Sequence, residues 1–260
     1  MYSPNNISSF LQKHVVFSAL NTKTLNKLSV LFEIHNYKQN ELLVIEGNNA
    51  ENFLILTQGA VRCFNITEEG NKKTYFILQA GAIILSDFIT NMPHSYNIEA
   101  ITPVMVITLN KDNFYKYIAT NNNLLQALLK YSISFFAKEI QDIKVFSGLE
   151  AKERIIYYLL KNYILNRNFT LTNKNDIKIK LEIDKATLAS NLDITPETLS
   201  RTLSKLESIG ITNNKKTLIC NIINLQKCCN LLLPTSYREV ICQNCSLTEL
   251  TKTSCNKVSC

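Results

Sequence analysis

The chain has 260 residues, 46% of them hydrophobic, and carries 28 Lys and Arg against 21 Asp and Glu for a formal charge of +7. That length accommodates two modest cores. It contains no apolar run of membrane-spanning length and no secretion signal in Met1-Tyr-Ser-Pro-Asn-Asn-Ile7, so the expectation is a cytoplasmic protein with reduced thiols and no membrane partner.

Residues 41–110 are short β-prone runs separated by turns. The runs include Glu41–Ile45, Phe53–Leu56, Ala60–Phe64 and Val104–Leu109. Gly47, Gly59, Gly70 and Gly81, four of the six glycines, each fall between such runs, where a turn calls for positive φ. Cys63 in this region and Cys220 near the end read as small buried apolar residues.

A long helical stretch follows, from about Asn123 to Phe146. Leu124, Leu125, Leu128, Leu129, Tyr131, Phe135, Phe136, Ile140, Ile143 and Phe146 give it more apolar surface than one monomer face needs. A stripe that wide on a long helix predicts a second helix against it. Ser147-Gly148 predicts a hinge, and Glu150 to Tyr163 a further helix. Asn166 to Lys180 is a polar loop that can add a small hairpin.

Lys185–Thr212 predicts two short helices joined by a tight turn. Thr195 is an N-cap, Pro196 suits the first helical position, and Gly210 stops the helix. Leu199, Leu203, Leu206 and Ile209 form an apolar stripe. The opposite face carries Glu197, Ser200, Arg201, Ser204, Lys205 and Ser208, short hydrogen-bonding side chains with two cations. Such a face approaches a base-pair edge without obstruction, and an Arg can grip guanine bidentately. The preceding helix, Lys185 to Asn191, offers Leu188, Ala189 and Leu192 to the stripe, leaving Asp193 and Ile194 for the turn. A polar hairpin, Asn213 to Lys216, and the β-prone run Thr217–Ile223 then complete a winged helix-turn-helix. Thr195, Glu197, Thr198, Ser200, Arg201, Ser204 and Lys205 are the candidate contacts to double-stranded DNA.

The charge is divided accordingly. Residues 1–149 hold 12 cations and 11 acids, a net of +1, and residues 150–260 hold 16 and 10, a net of +6. A basic surface attracts phosphates whatever the base sequence. Six of the eight cysteines, Cys228, Cys229, Cys242, Cys245, Cys255 and Cys260, lie in the last 33 residues. Cys242-x-x-Cys245 can place two thiolates on one ion or cluster, and Cys255 and Cys260 can close the site, with Cys228 and Cys229 as alternates. No His follows His94, so a Cys/His zinc finger is excluded; all-Cys zinc, an iron–sulfur cluster and metal-free thiols stay open. No phosphate-binding loop, Gly-x-Ser-x-Gly or His-Glu-x-x-His occurs, so nothing supports an enzyme.

Pro196-Glu-Thr-Leu-Ser-Arg201 resembles the start of the recognition helix in the Crp/Fnr family of bacterial transcription regulators. Its Glu-x-x-Ser-Arg form, Glu197, Ser200 and Arg201, is closer to the Fnr branch, and Glu46–Val61 resembles the family's effector-domain signature. The resemblance implies an α+β chain in four parts. These are a cyclic-nucleotide-binding-like β-roll sensor (1–120), a dimerisation helix (121–147), a winged helix-turn-helix (148–224) and a Cys-rich extension (225–260). It also implies a TTGA- or TGA-like half-site, a homodimer and RNA polymerase as a partner. The family's nucleotide pocket pairs Gly-Glu with a later Arg-Ser or Arg-Thr. Here those positions fall on Leu85-Ser86 and His94-Ser95, so Ser86, His94 and Ser95 form a degenerate pocket and no cyclic AMP is expected.

In the Fnr branch a 4Fe–4S cluster controls dimerisation through N-terminal cysteines, but residues 1–62 contain none, and the resemblance is to members that ligate through the C-terminus. Haem, the family's other sensor group, would need His14, His35 or His94. The expected function is a DNA-binding regulator controlled by redox, oxygen or nitric oxide. Two alternatives are a regulator with another small ligand in the β-roll and structural zinc in the tail, and a cyclic-nucleotide module that binds no DNA.

Overall fold

The computed structural model describes residues 4–224 except 19, 85, 166–168, 172–175, 182, 215–216 and 222–223. Contacts divide the chain into two units, Met1–Gln141 and Asp142–Cys260.

The first unit opens with α1 (Pro4–Lys13) and α2 (Thr22–Ser29). Strands β1 (Glu33–Tyr37), β2 (Leu42–Val44), β3 (Asn52–Gln58), β4 (Ala60–Ile66), β5 (Lys72–Gln79) and β6 (Ile83–Ile84) follow. Then come α3 (Ser86–Thr90), β7 (Asn97–Ala100), β8 (Val104–Asn110), α4 (Lys111–Asn113), a π-helical turn (Phe114–Ala119) and the long α5 (Asn122–Gly148). The strands form two antiparallel sheets, ordered β1-β8-β3-β6 and β2-β7-β4-β5. Side chains alternate across a strand, so β3 serves two cores at once. Leu54 and Leu56 pack with Val61, Cys63, Ile98 and Val106. Phe53 and Ile55 face the other way, toward Leu11, Phe17, Leu25, Phe88, Phe114 and Leu124. A strand buried on both sides reads as an unbroken apolar run, which is why Phe53–Leu56 shows no alternation.

The four glycines singled out between strands all have positive φ. Gly59 is also sterically fixed: a Cβ there would lie 2.4 Å from the Pro103 carbonyl oxygen. The buried Glu99 carboxylate is matched by Arg62 Nη2 at 2.9 Å and Lys72 Nζ at 2.7 Å, and both cations lie over the Phe64 ring. Pairing on this scale offsets the cost of taking a carboxylate out of water.

The π-helical turn and α5 carry the chain out of the roll. Leu124 and Leu128 of α5 lie in the roll's helical core, and the Tyr131 hydroxyl accepts the Ile83 amide at 3.0 Å. On the other side of α5, Leu125, Leu129, Ile133, Phe136, Ile140 and Ile143 are 45–63% exposed. The helix ends on Gly148, and the connection to the next helix falls at Leu149 and Glu150, immediately after the predicted Ser147-Gly148 break.

The second unit contains the end of α5, then α6 (Ala151–Leu165), β9 (Phe169–Leu171), β10 (Asp176–Lys180), α7 (Lys185–Asn191), α8 (Pro196–Leu206), a 3-10 turn (Glu207–Ile209), β11 (Ile211–Asn214) and β12 (Thr217–Asn221). Its antiparallel sheet is ordered β11-β12-β10-β9, so the polar loop 166–180 does supply a hairpin. Buried Asp142 accepts from the Tyr157 hydroxyl at 2.7 Å and pairs with Lys161, tying the last turns of α5 to α6. No helix among the described residues is long and apolar enough to cross a membrane.

His14 closes the short segment after α1. Its Nε2–H donates to the Gly81 carbonyl at 2.8 Å, and its Nδ1 accepts from the Val16 amide at 3.2 Å. Both ring nitrogens are committed, so His14 is not available to a haem. Burial lowers its pKa from the ordinary 6.5, against the opposing pull of the Gly81 carbonyl. The unfolded chain therefore binds a proton that the folded chain refuses between the lowered value and 6.5. The stability linked to His14 is fully present above 6.5 and is lost as pH falls through 6.5 toward the lowered value. Thermal melts from about pH 7.5 down to about pH 5.5 should show a larger loss of stability in the native protein than in a His14→Gln variant. Parallel pH profiles for the two would refute this role.

Candidate nucleic-acid interface

Local chemistry sets up the two short helices. Asp184 caps α7, its carboxylate accepting the Thr187 amide at 2.8 Å and the Thr187 hydroxyl at 3.0 Å. The Thr195 hydroxyl caps α8 by accepting the Thr198 amide at 3.1 Å, and Pro196 occupies the first turn. The α-helix stops at Leu206, and one 3-10 turn intervenes before Gly210, which adopts φ 82°. The helix is thus one turn shorter than the apolar spacing through Ile209 implied.

Leu199, Leu203 and Leu206 are fully buried, with Thr202 beside them, and Leu188, Ala189 and Leu192 of the preceding segment are buried as well. Burial of this stripe leaves one orientation for the other face. Thr195, Glu197, Ser200, Arg201, Ser204 and Lys205 are all exposed, and Thr198 is half-buried. At 1.5 Å per residue, Glu197 to Lys205 spans about 12 Å, comparable to the width of the major groove. Among the described residues, no side-chain ion pair or hydrogen bond engages Arg201 or Lys205. The exposed row therefore offers a carboxylate, two hydroxyls, a guanidinium and an ammonium on one rigid face. That set can donate to and accept from base edges and bind phosphates.

Two structural residues escape a reading based on periodicity. Asp184 was legible as an N-cap type, three residues ahead of Thr187. Arg154, on α6, has no local signal at all. Its Nε donates to the Leu149 carbonyl at 2.8 Å, and its Nη1 donates to the carbonyls of Leu192 at 3.1 Å and Asp193 at 3.2 Å.

The degenerate effector positions lie in the first unit. Ser86 opens α3, and His94 and Ser95 precede β7. Asp87 accepts from the Ser95 amide at 3.3 Å and hydroxyl at 3.1 Å, and its Oδ2 is 3.5 Å from His94 Nδ1. A carboxylate thus stands beside His94. Arg62, in the neighbouring sheet, is committed to Glu99. His35 bonds Thr108 Oγ1 at 3.1 Å.

Cys63 and Cys220 are both buried, and burial pushes both thiols up, Cys220 to about 12. Neither can supply a thiolate near neutrality. No group of three or more His, Cys, Asp or Glu suited to a metal occurs among the described residues. Cys228, Cys229, Cys242, Cys245, Cys255 and Cys260 lie outside them.

Comparison with known proteins agrees with both units. Residues 34–121 match the cyclic nucleotide-binding domain family, and residues 153–228 match the Crp-like helix-turn-helix domain family. The chain is 22% identical over 193 residues to the anaerobic regulatory protein of Pasteurella multocida, covering 74% of this chain and 70% of that one. It is also 22% identical to the fumarate and nitrate reduction regulatory protein of Yersinia pestis, covering 75% and 78%. Among solved structures, FixK2 from Bradyrhizobium japonicum superposes with a TM-score of 0.64 at 19% identity, covering 75% of this chain and 96% of that one. The c-di-GMP responsive regulator CLP from Xanthomonas campestris gives 0.65 at 13% identity, covering 77% and 99%.

Proposed function

The chain belongs to the Crp/Fnr family of transcription regulators, and we propose that it reads a palindromic TTGA-like site as a homodimer, under redox, oxygen or nitric oxide control. It is a DNA-binding regulator and not an enzyme. The observation that carries the proposal is the exposed row Glu197, Ser200, Arg201, Ser204 and Lys205 on a helix whose opposite face is locked into a core. In this reading Arg201 grips a guanine of the half-site, Glu197 accepts from a cytosine amino group, and Lys205 holds a phosphate.

The second support is the exposed stripe on α5. Leu129, Ile133, Phe136, Ile140 and Ile143 recur at spacings of three and four, the period of a helix-on-helix seam. A second copy of α5 buries it and brings two recognition helices to a two-fold site, where each reads one half about one DNA turn from the other. RNA polymerase is then the partner that such a dimer engages on DNA.

The signal is assigned to the tail by the chemistry of its donors. Cys242, Cys245, Cys255 and Cys260, with Cys228 and Cys229 as alternates, are soft ligands that suit a 4Fe–4S cluster or zinc. A bound cluster would supply reactivity toward oxygen and nitric oxide. Cyclic AMP does not fit, because His94 and Asp87 cannot replace the guanidinium that neutralises a cyclic phosphate. The compartment that keeps such thiols reduced is the cytoplasm.

In a gel shift on a TTGA…TCAA palindrome the protein should bind, and Arg201→Ala should cost about 1–3 kcal/mol and relax base preference. Equal binding by that variant would remove Arg201 from the interface. Sedimentation should show a dimer for the native protein and a monomer for a Phe136→Glu, Ile140→Glu variant; a variant that remained dimeric would place the interface elsewhere. Protein purified without air should be brown and bleach on exposure to oxygen, and a colourless preparation with one zinc would sink the cluster.

A further inference from the structure

The turn between α7 and α8 holds its shape under strain. Asp193 has φ 54°, the left-handed region that side chains other than glycine disfavour. The turn also ends a helix, so carbonyls at its end need donors from elsewhere. Amides close part of it: Leu192 N–H donates to Leu188, Asp193 N–H to Ser190 and Ile194 N–H to Ala189. The carbonyls of Leu192 and Asp193 both receive Nη1 of Arg154, at 3.1 and 3.2 Å, from 38 and 39 residues away. The same guanidinium donates through Nε to Leu149, in the short link between α5 and α6. Its side chain is 19% exposed, and it lies 3.9 Å from the Asp193 carboxylate, which is 70% exposed.

We propose that Arg154 is a positioning residue for DNA reading, a clamp that holds the strained Asp193 turn and so sets the angle at which α8 is presented. The proposal rests on the DNA-binding reading above. The clamp depends on geometry. Nη1 serves both turn carbonyls while Nε, on the other side of the same planar group, serves Leu149, and a lysine ammonium, with its donors on a single nitrogen, cannot hold the turn and the α5–α6 link at once. Charge retention alone therefore does not preserve the turn, whereas relief of the backbone strain does: glycine at 193 adopts φ 54° without cost.

The test uses the full-length protein and two duplexes, the palindrome and a random sequence, titrated by fluorescence anisotropy at several salt concentrations. Arg154→Met and Arg154→Lys should each lose about tenfold on the palindrome, with random-duplex binding and the salt slope unchanged. Adding Asp193→Gly to Arg154→Met should recover most of that loss. Hydrogen exchange read without DNA should show faster exchange of the Leu192, Asp193 and Ile194 amides in both Arg154 variants, slowed again by Asp193→Gly. Wild-type binding by Arg154→Lys, with losses on both duplexes and a slope shallower by about 0.9 for Arg154→Met, would make Arg154 a phosphate contact and overturn the clamp. Unchanged exchange at the three amides would overturn it too. A native protein that binds neither duplex defeats the DNA reading alone, and the exchange comparison still decides the clamp.

Discussion

Leu124, Leu128 and Tyr131 decide how α5 is turned, and much else follows from that. Two leucines sit in the roll's core, and the Tyr131 hydroxyl satisfies the Ile83 amide. With one side held inward, Leu129, Ile133, Phe136 and Ile140 have nowhere to go within their own unit. A helix cannot satisfy two apolar faces against one partner, and so the packing that builds the roll also leaves an apolar stripe on α5 exposed.

The second unit applies the same logic at smaller scale. Burial of Leu199, Leu203 and Leu206 fixes the roll of α8 about its axis, and every polar residue at the complementary spacing is presented outward together. Recognition of this kind requires no pocket. It requires a rigid helix with short side chains, held by caps at Thr195 and Gly210 and by the turn before it. The roll, by contrast, spends charged side chains on internal contacts. Asp87 with Ser95, and Glu99 with Arg62 and Lys72, are anion-to-donor arrangements that leave little to attract a phosphate.

Much of this was legible in sequence because it is local. Caps, stop residues and the turn glycines act over fewer than five residues, and the structure places each where its chemistry predicts. The strands absent from the sequence reading, β1, β5, β6 and β7, are legible only through their neighbours: β7 is four residues long, and its two polar members, Asn97 and Glu99, are buried because β2 and β4 flank it. Arg154 is the extreme case, since its partners at Leu192 and Asp193 are far along the chain and are backbone atoms with no residue signature. Ser147-Gly148 is legible for the local reason, since α5 ends on Gly148.

The loop from Gly81 to Ile83 is gripped from two sides: His14 donates to the Gly81 carbonyl, and Tyr131 receives the Ile83 amide. Two elements more than a hundred residues apart in sequence thus share one short piece of backbone as a common fulcrum. A shortened protein beginning at Val15 would orphan the Gly81 carbonyl and take Leu11 from the core, loosening the very loop on which α5 is seated. The segment after α1 is in this sense part of what seats α5 within the first unit.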